Sequence, residues 1–141
     1  MACCKTSFKL KNTTSELDKL CRNLEQFGNT LGLTEKCIFQ INLALDELFT
    51  NIVSHGCKNG EDHWIKIAIS HENGTVVIRI EDTGIPFNPD SVEGPDTIDD
   101  IEHCPVGGLG IHLIKKLMDE ILYERCGNKN VLTLKKNIAA L

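Results

Sequence analysis

Between Thr34 and Gly56 the apolar residues Ile38, Ile41, Leu45, Leu48 and Ile52 recur at alternating spacings of three and four. That spacing keeps them on one stripe of an α-helix and predicts a long amphipathic helix, capped by Thr34. Upstream, Leu17, Leu20, Leu24, Phe27 and Leu31 repeat the same period. They predict a second helix, stopped by Gly32. Thr13-x-x-Glu16 would open it as a capping box, each side chain taking the other residue's free backbone N–H. Residues 4–10 alternate weakly between polar and apolar and predict a first strand.

After Gly56 the period changes to two. Ile65, Ile67 and Ile69 alternate with Lys66, Ala68 and Ser70, and Val76, Ile78 and Ile80 alternate with Val77, Arg79 and Glu81. Asn73-Gly74 lies between the two runs, and both residues tolerate positive φ, so a tight hairpin is predicted. From Gly84 to Val106 periodicity disappears, in a stretch with four prolines and six acids (Asp90, Glu93, Asp96, Asp99, Asp100, Glu102). So long a loop in a compact domain is more often a functional lid than an idle connection. Order returns at Gly107 with a short amphipathic helix carrying Ile111, Ile114, Leu117 and Met118. Two strands follow, at about 120–126 and 130–136, joined by Gly127-Asn128-Lys129. There is no internal repeat and no interior linker. One domain over 1–141 is predicted, with a lid at about 85–110. Its class is α+β: a two-layer sandwich whose mainly antiparallel mixed sheet is covered on one face by about three helices.

Composition changes this picture little. A chain of 141 residues, 41% hydrophobic and 25% charged, can bury a core and is ordinary for a soluble globular protein. A net charge of −5 argues against nucleic acid as a direct partner, because phosphate binding leaves a basic footprint. No apolar run approaches the ~20 residues of a membrane span. Met1-Ala2-Cys3-Cys4-Lys5 is too short and polar for a signal peptide, so a cytoplasmic location is expected. The seven cysteines (3, 4, 21, 37, 57, 104, 126) include no Cys-x-x-Cys pair and read as free thiols in a reducing compartment.

Three groups of residues carry candidate chemistry. Glu47 and Asn51 are i,i+4 on the long helix and stand one above the other at the rim of the core. A carboxylate beside a carboxamide suits a general base next to an oxygen ligand for a hard cation such as Mg²⁺. Asp82-Thr83-Gly84 follows a hairpin strand. A carboxylate there can accept a hydrogen bond from an exocyclic amine, and a glycine lets the backbone approach a flat ring. Gly107-Gly108-Leu109-Gly110 stands before a helix, where free N–H groups and the helix dipole favour an anion. It is no P-loop, since no Gly-Lys-Ser/Thr follows. It is a poor dinucleotide fingerprint too, since Leu113 stands where the third spaced glycine belongs.

Each group alone has a plain structural explanation, but their order along the chain is specific. Glu-x-x-x-Asn, Asp-x-Gly after a hairpin, a long lid and Gly-Gly-x-Gly before a helix resemble the GHKL superfamily of ATP-binding proteins, which includes gyrase, MutL and the histidine kinases and shares the Bergerat fold. The short chain, the strand and helix that precede the Asn-bearing helix, and the phrase Gly-Gly-Leu-Gly-Ile-His-Leu-Ile-Lys are similar to the bacterial anti-sigma factors that are also serine-protein kinases. The resemblance covers nearly the whole chain. It implies ATP and Mg²⁺ as ligands, with Glu47 as catalytic base and Asn51 as Mg²⁺ ligand. Asp82 would read adenine, with Gly84 beneath the base, and Gly107, Gly108, Leu109 and Gly110 would wrap the triphosphate. It further implies a homodimer that binds a sigma factor and phosphorylates a small anti-anti-sigma antagonist on serine.

One departure stands out. From Asn88 to Val106 there is no Arg or Lys, only His103, where relatives often supply a cation to the γ-phosphate. Lys115 or Lys116 are substitutes on the following helix, unless they face solvent. A nucleotide-dependent protein-binding module with weak or no kinase activity is therefore the alternative function. A histidine-kinase catalytic domain fits less well, for want of a helical phospho-acceptor segment before Thr34.

Overall fold

The computed structural model describes residues 4–55, 63–86 and 108–138. Five strands run in the order β1 (Cys4–Lys11), β2 (Trp64–Glu72), β3 (Thr75–Asp82), β4 (Glu120–Cys126) and β5 (Lys129–Asn137). They form one sheet of spatial order β1-β2-β3-β5-β4, and each of its four ladders is antiparallel. Three α-helices complete the described fold: α1 (Leu17–Leu31), α2 (Glu35–His55) and α3 (Gly108–Leu117). The architecture is the expected α+β one.

Alternation sorts the sheet into two faces. Ile65, Ile67 and Ile69 of β2, Val76, Ile78 and Ile80 of β3, and Leu132 and Leu134 of β5 are buried on the face the helices cover. Leu20, Leu24 and Phe27 of α1 meet them, with Ile41, Ala44, Leu45, Leu48 and Phe49 of α2 and Ile114 of α3. The buried stripe of α2 is wider than the predicted one, for it takes in Cys37, Ala44 and Phe49, while Ile38 and Ile52 pack at its margins. Antiparallel sheets commonly leave their second face to solvent, and here Lys66 and Arg79 stand on it.

The ends of the elements follow local chemistry. Thr34 Oγ1 accepts a hydrogen bond from Cys37 N at 3.1 Å and caps α2. Gly32, at φ +74°, ends α1 in the left-handed conformation that glycine adopts without steric cost. Asn73 and Gly74, at φ +52° and +78°, make the tight β2–β3 turn. The capping box is not formed. A 3₁₀ turn over Thr14–Glu16 intervenes, Thr13 makes no side-chain cap bond, and Glu16 Oε1 accepts from Lys11 N at 3.1 Å instead. The extra turn draws the carboxylate back toward β1, and Thr13 pairs its hydroxyl with that of Ser15.

The position of α3 depends on a buried lysine. Lys136 points from the inner face of β5, in register with Val76, and its Nζ donates to the Leu117 carbonyl oxygen at 2.7 Å. That carbonyl belongs to the last turn of α3, where intrahelical donors have run out and the dipole favours a cation. Asn137 N, donating to an Asp119 carboxylate oxygen, fastens the chain just beyond. Lys136→Met keeps the aliphatic stem but orphans the carbonyl. It should lower unfolding free energy by about 1–2 kcal/mol in chemical denaturation, whereas a change confined to the half-exposed Lys135, whose partner is the surface acid Glu120, should cost much less.

Candidate functional site

On α2, Glu47 and Asn51 stand one turn apart, as their spacing requires. Glu47 is half-buried, and Asn51 is deeper than a rim position, only 7% exposed. Among the described residues Asn51 Nδ2 is buried without a hydrogen-bond partner. An orphaned carboxamide end costs free energy unless something outside the fold satisfies it. A carboxamide can turn either end to such a group, the oxygen to a cation or the N–H to a phosphate. Asp46, next to the candidate base, also has a buried unpaired oxygen. Burial, and then the charge of Glu47, push its carboxyl above the ordinary carboxylate range.

At the end of β3, Asp82 is buried on the helix-covered face, in register with Asn130 of β5. Its Oδ1 accepts from Gly84 N at 2.8 Å, closing an Asx turn, and from Asn130 Nδ2 at 3.1 Å. Both bonds fall on Oδ1. Asn130 Nδ2 also donates to the Ile85 carbonyl oxygen at 2.8 Å, and Asn130 Oδ1 accepts from Tyr123 Oη at 2.6 Å and Arg125 Nη1 at 3.1 Å. Arg125 Nη1 reaches the Gly84 carbonyl oxygen as well, at 2.8 Å. On the other side Thr83 Oγ1 pairs with His63 Nδ1 at 3.1 Å. The Asp-Thr-Gly turn is thus bolted to β4, to β5 and to the residue that precedes β2. Gly84 is buried but does not lie at positive φ, so backbone torsion does not explain a glycine there.

Asn130, Tyr123 and Arg125 were not singled out from sequence. A signal existed for Asn130. The period-two reading of 130–136 puts it on the same inward face as Leu132 and Leu134, where a carboxamide must find partners.

The glycine-rich stretch is placed differently from the expectation. Gly108, Leu109 and Gly110 are the first three residues of α3 rather than a loop before it, and Gly107 lies outside the described residues. The change does not remove the donors, because the N–H groups of a helix's first turn have no intrahelical acceptor. α3 packs against α2, the helix that bears Glu47 and Asn51. Lys115 and Lys116 are exposed on α3. The acidic lid residues and His103 lie outside the described residues. Among the described residues no group of three or more His, Cys, Asp or Glu side chains could hold a metal. A Mg²⁺ ion at Asn51 would then draw its remaining ligands from phosphate and water, as Mg²⁺ commonly does. Cys21, Cys37 and Cys126 are free thiols, and no described helix is long and apolar enough to cross a membrane.

A family model described as the histidine kinase-like ATPase domain matches residues 10–136. The chain belongs to that family. Within it the chain is 31% identical over 116 residues to the serine-protein kinase RsbW of Listeria monocytogenes EGD-e, covering 79% of this chain and 74% of that one. It is 29% identical over 101 residues to the serine/threonine-protein kinase BtrW of Bordetella bronchiseptica, covering 72% and 71%. In fold it is similar to the RsbU and RsbW domains of Rv1364c from Mycobacterium tuberculosis, with a TM-score of 0.68 at 17% identity, over 96% of this chain and 32% of that one. A histidine kinase domain from Erythrobacter litoralis EL346 is similar at a TM-score of 0.58 and 15% identity, covering 89% and 61%. These structural likenesses support the GHKL-type fold and no more.

Two measurements probe the site's construction. Asn130→Ala strips Asp82, Tyr123 and Arg125 of a common partner, and should cost about 2–3 kcal/mol in denaturant unfolding. Asp46→Asn tests the raised carboxyl. A carboxyl whose folded pKa exceeds its unfolded one binds its proton more tightly in the folded state. Its contribution is therefore favourable at low pH and is lost as pH rises through the folded pKa. At pH 7 the variant should melt about 1–3 °C above wild type, and the gap should close as the pH falls below about 4.

Proposed function

We propose that this chain is an ATP-dependent serine kinase of the partner-switching type. It would bind a sigma factor or an equivalent target and phosphorylate a small anti-anti-sigma antagonist. The observation that best supports this reading is the Asp82 turn: a buried carboxylate fixed through Oδ1 alone, beside a glycine whose backbone torsion does not demand one. That arrangement leaves Oδ2 to accept from the exocyclic amine of adenine, with Gly84 under the ring. Resemblance in sequence to RsbW and BtrW, both named as serine or serine/threonine kinases, points the same way.

The chain's own residues would divide the work as follows. Asp82 and Gly84 orient the base. The free N–H groups of Gly108, Leu109 and Gly110 face phosphate oxygens, and Asn51 holds the metal through its carboxamide oxygen. Bound Mg²⁺ supplies charge neutralisation across the phosphates. Glu47 takes the proton from the antagonist's serine hydroxyl as its oxygen bonds to the γ-phosphorus and ADP leaves. Phosphoryl transfer asks mostly for positioning and electrostatic stabilisation, so this set is sufficient. Operation as a cytoplasmic homodimer is part of the proposal.

A second reading is favoured by one specific feature. Six acids and no Lys or Arg lie between Asn88 and Val106, and Lys115 and Lys116 are exposed. A site short of cations would bind nucleotide yet transfer phosphate poorly, and would act as a nucleotide-dependent binding module.

Calorimetric titration with Mg·ATP, followed by phosphate transfer to a co-encoded small antagonist domain, separates the two. Asn51→Ala and Asp82→Ala should each weaken ATP binding at least about tenfold, the size of one lost charge-assisted hydrogen bond or metal ligand. Glu47→Ala should retain binding but lose on the order of 100-fold or more in transfer rate, as removal of a general base does. Binding that survives both pocket variants would refute the site. ATP binding without transfer in the wild type would establish the binding module.

A further inference from the structure

The sheet face that the helices do not cover is divided in charge. Toward β4 its residues are balanced: Glu120 pairs with Lys135 at 3.5 Å. Across β1 and β2 they are not. Lys5, Lys9 and Lys11 of β1 and Lys66 of β2 are all exposed, and the only acid on these two strands is Glu72, at the far end of β2. On β3, Glu81 is bound to Arg79 at 3.1 Å and neutralises it. A chain of net charge −5 thus concentrates positive charge on half of one face.

Lys9 and Lys66 stand directly opposite each other across the β1–β2 ladder. Like charges in that position are destabilising. Lysines on an edge strand are a common guard against sheet-to-sheet aggregation, and β1 is an edge. Lys66, on an interior strand, has no such role and stands between Lys9 on one side and Glu81 on the other. Between the lysines the face is concave. Lys9, Trp64, Lys66, Glu81, Asp82, Thr83 and Lys129 line one hollow. Lys5, Lys66 and Arg79 border a second, whose floor is made of small side chains, Ser7, Ala68, Ser70 and Val77. Trp64 is 52% exposed, with Lys11 Nζ 5.8 Å from its ring centroid.

We infer that the outward face of β1–β2–β3 is a docking surface for an acidic segment of a partner protein, with carboxylates over Lys9 and Lys66 and a side chain seated on the Ala68–Val77 floor. A protein segment fits better than nucleic acid. Glu81 lies among the lysines, where it would repel a continuous phosphate backbone, and the chain as a whole is acidic. Asp82 borders the first hollow, but its carboxylate turns away from the lysines to meet Asn130 on the inward face.

The test uses the full chain and a fluorescent dodecaglutamate peptide, with anisotropy and Trp64 emission as readouts. Binding should occur in low salt and weaken steeply as salt is added. Lys9→Glu/Lys66→Glu should reduce affinity at least about tenfold, while Lys19→Glu on the exposed surface of α1 leaves it within about twofold. Lys9→Glu alone should weaken binding yet raise the melting temperature by about 1–3 °C, because it turns a repulsive cross-strand pair into an attractive one. That opposition of stability and binding would not arise if Lys9 served only the fold. The inference is overturned by any of four results: no binding by wild type, equal loss in Lys19→Glu, tighter binding of a single-stranded oligonucleotide of equal charge, or a dimer in sedimentation that Lys9→Glu/Lys66→Glu dissociates.

Discussion

The hydrogen bond from Asn130 to Asp82 is the constraint on which the arrangement of this molecule turns. A carboxylate buried at the end of a strand is tolerable only when its charge is met by fixed donors. Here those donors come from its own turn and from the neighbouring strand. Because Asn130 is held in turn by Tyr123 and Arg125 of β4, the carboxylate is indexed to the β4–β5 hairpin as a whole. Gly84 and Ile85 are fixed by the same side chains. A requirement for electrostatic satisfaction thereby becomes positional accuracy at the Asp82-Thr83-Gly84 turn.

The same principle operates at the other end of β5. Lys136 is a buried cation answered by the terminal carbonyl of α3. One strand therefore carries, six residues apart, the two polar side chains that place the Asp82 turn and the third helix. Its intervening inward residues, Leu132 and Leu134, supply ordinary core. Lys136 also lies near enough to Cys37 of the helix bearing Glu47 and Asn51 for its charge to act on that thiol. The two polar side chains set the walls against which that helix faces.

Much of this was legible in the chain before any coordinates. The 3,4 spacing from Ile38 to Ile52, the alternation on either side of Asn73-Gly74 and the stop at Gly32 each act through near-neighbour geometry, which sequence exposes directly. The Glu47–Asn51 pair was legible for the same reason, since four residues on a helix is one turn. What could not be read were relations between distant residues. Thr13 and Glu16 have the spacing of a capping box, but a 3₁₀ turn and the Lys11 amide decide otherwise. Asn130 could be marked as an inward polar residue, yet its partner lies 48 residues away, and nothing local gives the order in which strands enter the sheet. Likewise, that Lys9 faces Lys66 follows from register alone.

The insertion of β5 between β3 and β4 has a consequence in time. Residues that belong to one hydrogen-bonded turn are separated by the whole excursion through α3 and β4, so on a ribosome they do not appear together. At ~5–20 residues per second, Asp82 waits some seconds for Asn130 to be made, and longer for it to clear the exit tunnel. Throughout that interval β1, β2 and β3 can already pair, but the Asp82 carboxylate has only half its support. The Asp82 turn therefore gains its second donor only once β5 has been made.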